Sequence, residues 1–330
     1  MTAVRTVLTL PELIEWRRVP GWTALLYLTD RCPVGCAHCS VDATGSSPRV
    51  DDHVGLDHLV RELVASPDLR SVGISGGEPF VERRALTAAV GTITDAGKLA
   101  VPYTSAAWSP TVPMWIRRVL ERSAAVVLST DTFHDAGVTQ RQVRVAAEAI
   151  VAAGARLIVQ VVDVGESVRR AVDLVVDCFG DASSDVADVH VVPLIGVGRG
   201  ADVLTVRRRY TVDQLSPCRA AASPVIAYDG RVTPCCNEAL INGDGPAVLR
   251  PRVTHATDLP HVVRDVTTAP LISMMRTAGP AAVASLPGFT DLAAQRHGSL
   301  CDFCWLAHER STTLADEEDR VLRAAALIAR

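Results

Sequence analysis

Between residues 23 and 192, strand-sized apolar runs alternate six times with segments of helical hydrophobic spacing, and this rhythm narrows the possible folds more than any other feature of the chain. The runs at 23–30, 71–75, 100–103, 125–129, 156–162 and 189–192 carry the β-branched and aliphatic residues of buried strands. Leu, Val and Ala recur at helical spacing over 58–65, 83–96, 113–122, 139–153 and 168–178. Strand–helix–strand repeats close right-handed crossovers on a parallel sheet, either doubly wound or curled into a full or partial barrel, and periodicity leaves both open. Hydrophobic residues make up 48% of the chain and aromatics only 4%, so the interior is mostly Val, Leu, Ile and Ala, as a sheet covered on both faces requires.

With 330 residues the chain exceeds the usual size of one domain. The α/β rhythm stops near residue 200. Beyond it, 224–227 and 231–233 flank Asp229-Gly230, a hairpin signal, and 242–260 is rich in Gly, Pro and polar residues. Residues 315–330 read as a terminal helix with a solvated charged face. The expected organisation is an α/β unit over 1–200 and a smaller, irregular α+β unit over 201–330.

The net charge of -4, with Lys and Arg scattered, argues against a nucleic-acid partner. No apolar run approaches the roughly 20 residues that span a bilayer, so no membrane association is expected. Residues 1–20, containing Glu12, Glu15, Arg17 and Arg18, do not read as a secretory signal, which points to the cytoplasm. In that reducing compartment the nine cysteines are metal ligands or reactive thiols rather than disulfides.

Cys32-Pro-Val-Gly-Cys36-Ala-His-Cys39 follows the first strand directly. Four thiolates normally fill a [4Fe-4S] cluster, so three leave one iron open to an outside ligand. Structural zinc is the rival reading, but it wants four ligands in paired spacing, and His38 beside Cys39 is poorly placed to complete such a set. The C-x-x-x-C-x-x-C spacing resembles the signature of radical S-adenosylmethionine (SAM) enzymes, and Gly76-Gly77-Glu78-Pro79 after the second strand matches that family's GGEP motif at all four positions.

The resemblance covers roughly residues 23–200. It implies a partial (β/α)6 barrel with its chemistry at the C-terminal ends of the strands. It also implies a [4Fe-4S] cluster on Cys32, Cys36 and Cys39, SAM bound at the open iron, and an electron donor such as flavodoxin or ferredoxin. Cleavage of SAM would give methionine and a 5'-deoxyadenosyl radical that abstracts a hydrogen atom from substrate. Gly76 and Gly77 are expected to let the backbone approach SAM, Pro79 to stiffen the turn, and Glu78 to supply a carboxylate to the same polar environment. Tyr103-Thr104-Ser105 and Ser129-Thr130-Asp131 stand where the family places polar SAM contacts, although Ser129 or Asp131 could equally cap the following helix. Residues 191–200 resemble the family's sixth-strand end, which lines the adenine, or form a Gly-rich interdomain loop.

Cys218, Cys235, Cys301 and Cys304 have the form C-x16-C-x65-C-x-x-C, and the hairpin wording Tyr228-Asp229-Gly230-Arg231-Val232-Thr233-Pro234-Cys235-Cys236 resembles the SPASM and shortened twitch extensions of the same family. There the hairpin presents a cysteine to an auxiliary cluster. The cysteine count here favours the twitch form with one auxiliary iron–sulfur cluster, and zinc held by four thiolates stays open. Cys178, among Val175, Val176 and Phe179, reads as a small buried hydrophobe. Cys236 is a core residue, a substitute ligand for Cys235, or a hydrogen-atom donor to a substrate radical. If the strand stays extended, Cys235 and Cys236 point to opposite faces.

The extension implies radical crosslinking or oxidation of a peptide or natural-product intermediate. The runner-up is dehydrogenation or epimerisation of a small molecule such as a sugar, aminocyclitol or nucleoside. A cluster carrier or electron-transfer protein is a third class, which would need neither GGEP nor an open iron.

Overall fold

The computed structural model describes residues 6–108, 111–204 and 208–329. Six strands, β1 (Thr23–Tyr27), β2 (Ser71–Ser75), β3 (Leu99–Thr104), β4 (Ala125–Ser129), β5 (Arg156–Val162) and β6 (Ala187–Val192), pair in parallel in chain order. After α1 (Leu10–Trp16), the helices α2 (His53–Val64), α3 (Arg83–Asp95), α4 (Met114–Arg122), α5 (Gln140–Ala152) and α6 (Ser167–Phe179) form the crossovers. This is the expected partial barrel. Helix α2 begins earlier than its hydrophobic spacing indicates because Asp52 caps it, the carboxylate accepting Gly55 N–H at 2.8 Å.

Strand alternation divides the side chains into two sets. Leu26, Leu28, Val72, Ile74, Val126, Leu128, Leu157 and Val159 face the helices and join Leu56, Leu86, Ile93 and Ile150 in the main core. Tyr27, Ser75, Tyr103, Ser129, Gln160 and His190 face the lumen. The lower end is plugged by the α1 region, whose Leu8 and Leu13 pack on Val101, Ala125, Val127 and Ile158. Leu10 N–H donates to Asp188 Oδ2 at 3.1 Å, which fixes the plug to β6.

The hairpin forms as expected from β7 (Val225–Ala227) and β8 (Val232–Thr233), paired antiparallel. Strand β7 runs parallel to β1, so the hairpin extends the barrel sheet to eight strands in the order β6-β5-β4-β3-β2-β1-β7-β8. Helices follow at Leu259–Thr268, Pro270–Thr277, Pro280–Ala284, Leu300–Ser311 and Asp316–Ile328. Leu271, Met274, Met275, Val283, Phe289, Phe303 and Leu322 give them a core of their own. The terminal helix matches the sequence expectation except at Arg330, which lies outside the described residues. Among the described residues no helix is long and apolar enough to cross a membrane.

Leu26 is fully buried in β1, the strand that pairs on one side with β2 and on the other with β7. Leu26→Ala is expected to cost about 2–5 kcal/mol by leaving a cavity there. Denaturant unfolding measures the loss.

Candidate active site

One cavity of about 580 Å³ opens at the C-terminal ends of the barrel strands. Cys32, Cys36 and Cys39 line one part of it, and Cys218, Cys235, Cys236 and Cys301 line another. Cys304 lies just behind the wall, packed with Cys218 and Cys235 among Leu240, Leu249 and Ile272. Two cysteine groups separated by about half the chain therefore share one chamber. All nine cysteines are free thiols. Cys235 belongs with Cys218 and Cys304, whereas Cys236 packs with Leu25, Tyr27 and Ile241 on the barrel side. Strand β8 ends at Thr233, so the extended run through both cysteines does not form, and Thr233 Oγ1 donates to Cys235 O at 2.7 Å in the bend that follows. Cys178 packs against the main core.

The first cysteine loop is held by its backbone. Cys32 N–H donates to Thr44 O at 2.9 Å. Arg199, beyond β6, donates from Nε to Cys36 O at 3.0 Å and from its terminal nitrogen to Ala43 O at 3.0 Å. Its own N–H reaches Cys39 O at 3.0 Å, and a Cβ at the neighbouring Gly198 would stand 2.6 Å from that same oxygen.

The GGEP turn grips the loop from below, with Gly77 N–H on Thr29 O at 2.6 Å and Glu78 N–H on Arg31 O at 2.8 Å. A Cβ would lie 2.4 Å from Thr29 O at position 76 and 2.3 Å from Arg31 O at position 77. The glycines are thus needed for contact with the chain that carries the cysteines, a reason independent of any ligand. Pro79 opens a short 3-10 turn.

Glu78 is buried, and its carboxylate is absent from the cavity wall. It accepts from Thr104 Oγ1 at 3.0 Å, Ser105 Oγ at 2.6 Å, Ser105 N–H at 2.8 Å and Phe80 N–H at 3.1 Å. Burial raises its pKa against the pull of these donors. Its role in the structure is to lock the GGEP turn to the end of β3.

Ser129 and Asp131 both line the cavity. Asp131 is not a helix cap, since Thr139 caps α5. Asp131 Oδ1 meets His134 Nδ1 at 2.9 Å, and Oδ2 lies 3.5 Å from His38 Nε2. Burial opposes the aspartate's charge, but the His134 hydrogen bond and the two rings hold its pKa below the usual range. Burial likewise opposes the imidazolium of His134, which hydrogen bonds to Asp131 and Cys36 nevertheless push up to about 10.

Val192, Pro193, Leu194 and Ile195 form an apolar wall before the chain reaches Gly198 and Arg199. Sequence reasoning missed Arg17, His134, Gln160, His190, Arg199 and Glu238. Gln160 and His190 had a signal, being polar residues at lumen positions of otherwise apolar strands.

No protein-family model and no curated protein matches the chain. Solved structures do. Streptococcus suis SuiB bound to S-adenosylmethionine aligns with a TM-score of 0.52 at 16% identity, over 73% of this chain and 65% of that one. The chain thus spans less than two thirds of SuiB. Native anSMEcpe with bound AdoMet aligns with a TM-score of 0.51 at 12% identity, over 93% of this chain and 100% of that one. Native anSMEcpe with bound AdoMet and Cp18Cys peptide gives 0.52 at 13% identity, over 93% and 99%. The chain has the fold of the radical-SAM enzymes, and its C-terminal part is consistent with a SPASM-type extension.

Arg199→Met removes two charged hydrogen bonds from the cysteine loop, each worth about 1.5–3 kcal/mol. Faster amide hydrogen exchange across 36–43 in the metal-free protein is the expected result. Unchanged exchange would show that the loop does not depend on Arg199.

Proposed function

We propose that this chain is a radical-SAM enzyme that modifies a peptide or natural-product intermediate by crosslinking or oxidation. The observation that carries this reading is the shared chamber, in which the Cys32, Cys36 and Cys39 loop, the GGEP turn and a second thiol set meet around one volume.

Cys32, Cys36 and Cys39 fit a [4Fe-4S] cluster with one iron left for SAM. Burial pushes the Cys32 thiol up to about 11. A thiolate in that environment calls for a cationic partner, which iron supplies. The backbone of Gly76, Gly77, Glu78 and Pro79, with Ser129 and Asp131, forms the polar seat for SAM, and the 192–195 wall offers an apolar face to its adenine. When bound and reduced, the cluster supplies the electron that splits SAM into methionine and a 5'-deoxyadenosyl radical. The chain's own part is to orient the substrate beside that seat and to keep water from it.

Cys218, Cys235, Cys301 and Cys304 fit one auxiliary cluster. Zinc held by the same four thiolates is the rival, and metal content separates the two. The peptide bound by the structurally similar anSMEcpe supports a peptide substrate.

In the alternative reading, epimerisation of a small molecule, Cys236 on the barrel side of the hairpin would return a hydrogen atom to the substrate radical. The resulting thiyl radical is restored by an electron from the external donor and a proton. Where the radical is oxidised instead, Cys218, Cys235, Cys301 and Cys304 would hold the group that supplies the electron sink.

Anaerobically reconstituted protein is expected to hold about 8 iron atoms, and about 4 after Cys32, Cys36 and Cys39 are all changed to Ala. Zinc at the second site would refute the auxiliary cluster. With dithionite or flavodoxin as reductant, 5'-deoxyadenosine should form and should be lost in Cys36→Ala. Cleavage that survives this change would sink the mechanism. If the product is instead an epimer, deuterium from solvent should enter it and disappear in Cys236→Ala. Product without deuterium from the unaltered protein would remove the donor role.

A further inference from the structure

Arg17 follows α1 at the floor of the lumen and is the one Lys or Arg lining the cavity among the described residues. Its guanidinium has no carboxylate within 4.0 Å and no hydrogen-bond acceptor among those residues. The ionisable groups whose fields reach it are Tyr103, Cys236 and Glu238. Glu238 also lines the cavity and likewise forms no ion pair. Burial raises its pKa, and Arg17 counters the shift. An arginine with five N–H donors turned into a confined space and left unmatched is costly unless something else completes it.

We propose that Arg17 is the substrate-orienting residue of the cavity and receives a substrate carboxylate. The proposal rests on the reading of this chamber as a substrate site. A planar carboxylate matches the guanidinium fork with two parallel hydrogen bonds. Phosphate suits the site poorly, because it carries more negative charge, Glu238 is nearby, and among the described residues no second Lys or Arg lines the wall, the His134 ring being paired with Asp131. Cys236 lies within reach of the same pair of charges. Anchoring the carboxylate therefore fixes which carbon of the substrate is presented to that thiol. Glu238 discriminates against a second acidic group and can accept an N–H or O–H from the ligand. The carboxylate has two sources, a free C-terminus or an acidic side chain.

The test uses the iron-loaded protein with SAM present and three probes followed by ligand-observed NMR: N-acetylalanine, N-acetylalanine amide, and N-acetylaspartic acid α-amide. At least one carboxylate probe should bind while the neutral amide does not. Binding of N-acetylalanine identifies the C-terminal source, and binding of the aspartyl amide identifies the side-chain source. Arg17→Gln should weaken the bound probe roughly tenfold or more. Arg17→Lys should restore part of the loss, and Glu238→Gln should tighten binding by removing a repulsive charge. These two variants keep the test decisive if Arg17→Gln fails to fold.

Equal binding of the neutral amide, binding of no probe, or no effect of either Arg17 change overturns the proposal. So does a loss of SAM binding in place of probe binding, which would assign Arg17 to the cofactor. Formation of 5'-deoxyadenosine by the same preparations reports on the radical reading separately. SAM cleavage without probe binding defeats this subsite alone, whereas Arg17-dependent probe binding without SAM cleavage leaves the subsite standing and defeats the radical reading.

Discussion

The grip of Arg199 on the cysteine loop is the interaction on which the site depends. On the proposed reading the thiols of this loop are left for a metal, and its shape rests on the backbone. Its carbonyls at Cys36, Cys39 and Ala43 are instead satisfied from beyond β6. The GGEP turn grips the preceding stretch from the end of β2. One loop after β1 is thereby clasped by segments that follow the second and sixth strands. The barrel must bring its first and last strands to the same mouth before the thiols have a defined geometry.

How much of this could be read from the sequence follows from the range of each interaction. The six strands and their helices were legible because alternation and helical spacing are local. GGEP and the three-cysteine loop were legible because their spacing is short and their order along the barrel fixed. The separation of Cys235 from Cys236 was expected only for an unbroken strand, whereas β8 ends at Thr233 and the bend after it parts the two side chains. The inward turn of the Glu78 carboxylate was not legible, since it depends on Thr104 and Ser105, which no spacing rule connects to it. Arg199 was hidden for the same reason. The helices of residues 259–284 were not read from the sequence, and Pro260, Pro270 and Pro280 punctuate the segment. In the structure they occupy first turns, where a missing N–H has no partner to lose.

The charges of the chamber are organised by depth. Near the cysteine loop, Asp131 is engaged by two histidines and its negative charge is already committed. The middle is apolar, with Val162, Val192 and Leu194 in the wall. On the floor, Arg17 and Glu238 stand without close partners, and the positive field of Arg17 joins burial in holding His190 below its usual pKa. A molecule entering the chamber meets an aspartate already engaged near the cysteine loop and two charges without an ion pair at Arg17 and Glu238.

Strand β7 adds a mechanical consequence. It is hydrogen bonded to β1 over Leu25–Val225, Leu26–Ile226 and Tyr27–Ala227, and Tyr228 reaches Asp30 with its hydroxyl at 2.8 Å. Strand β1 leads into Cys32, and the hairpin that begins with β7 leads into Cys235. Both thiol sets therefore hang from neighbouring rungs of one ladder, and their separation is counted in residues. A slip of a single rung would carry the hairpin about 3.3 Å along the strand and change the distance between the two thiol sets. That distance is kept as on a ruler, graduated by the register of two strands.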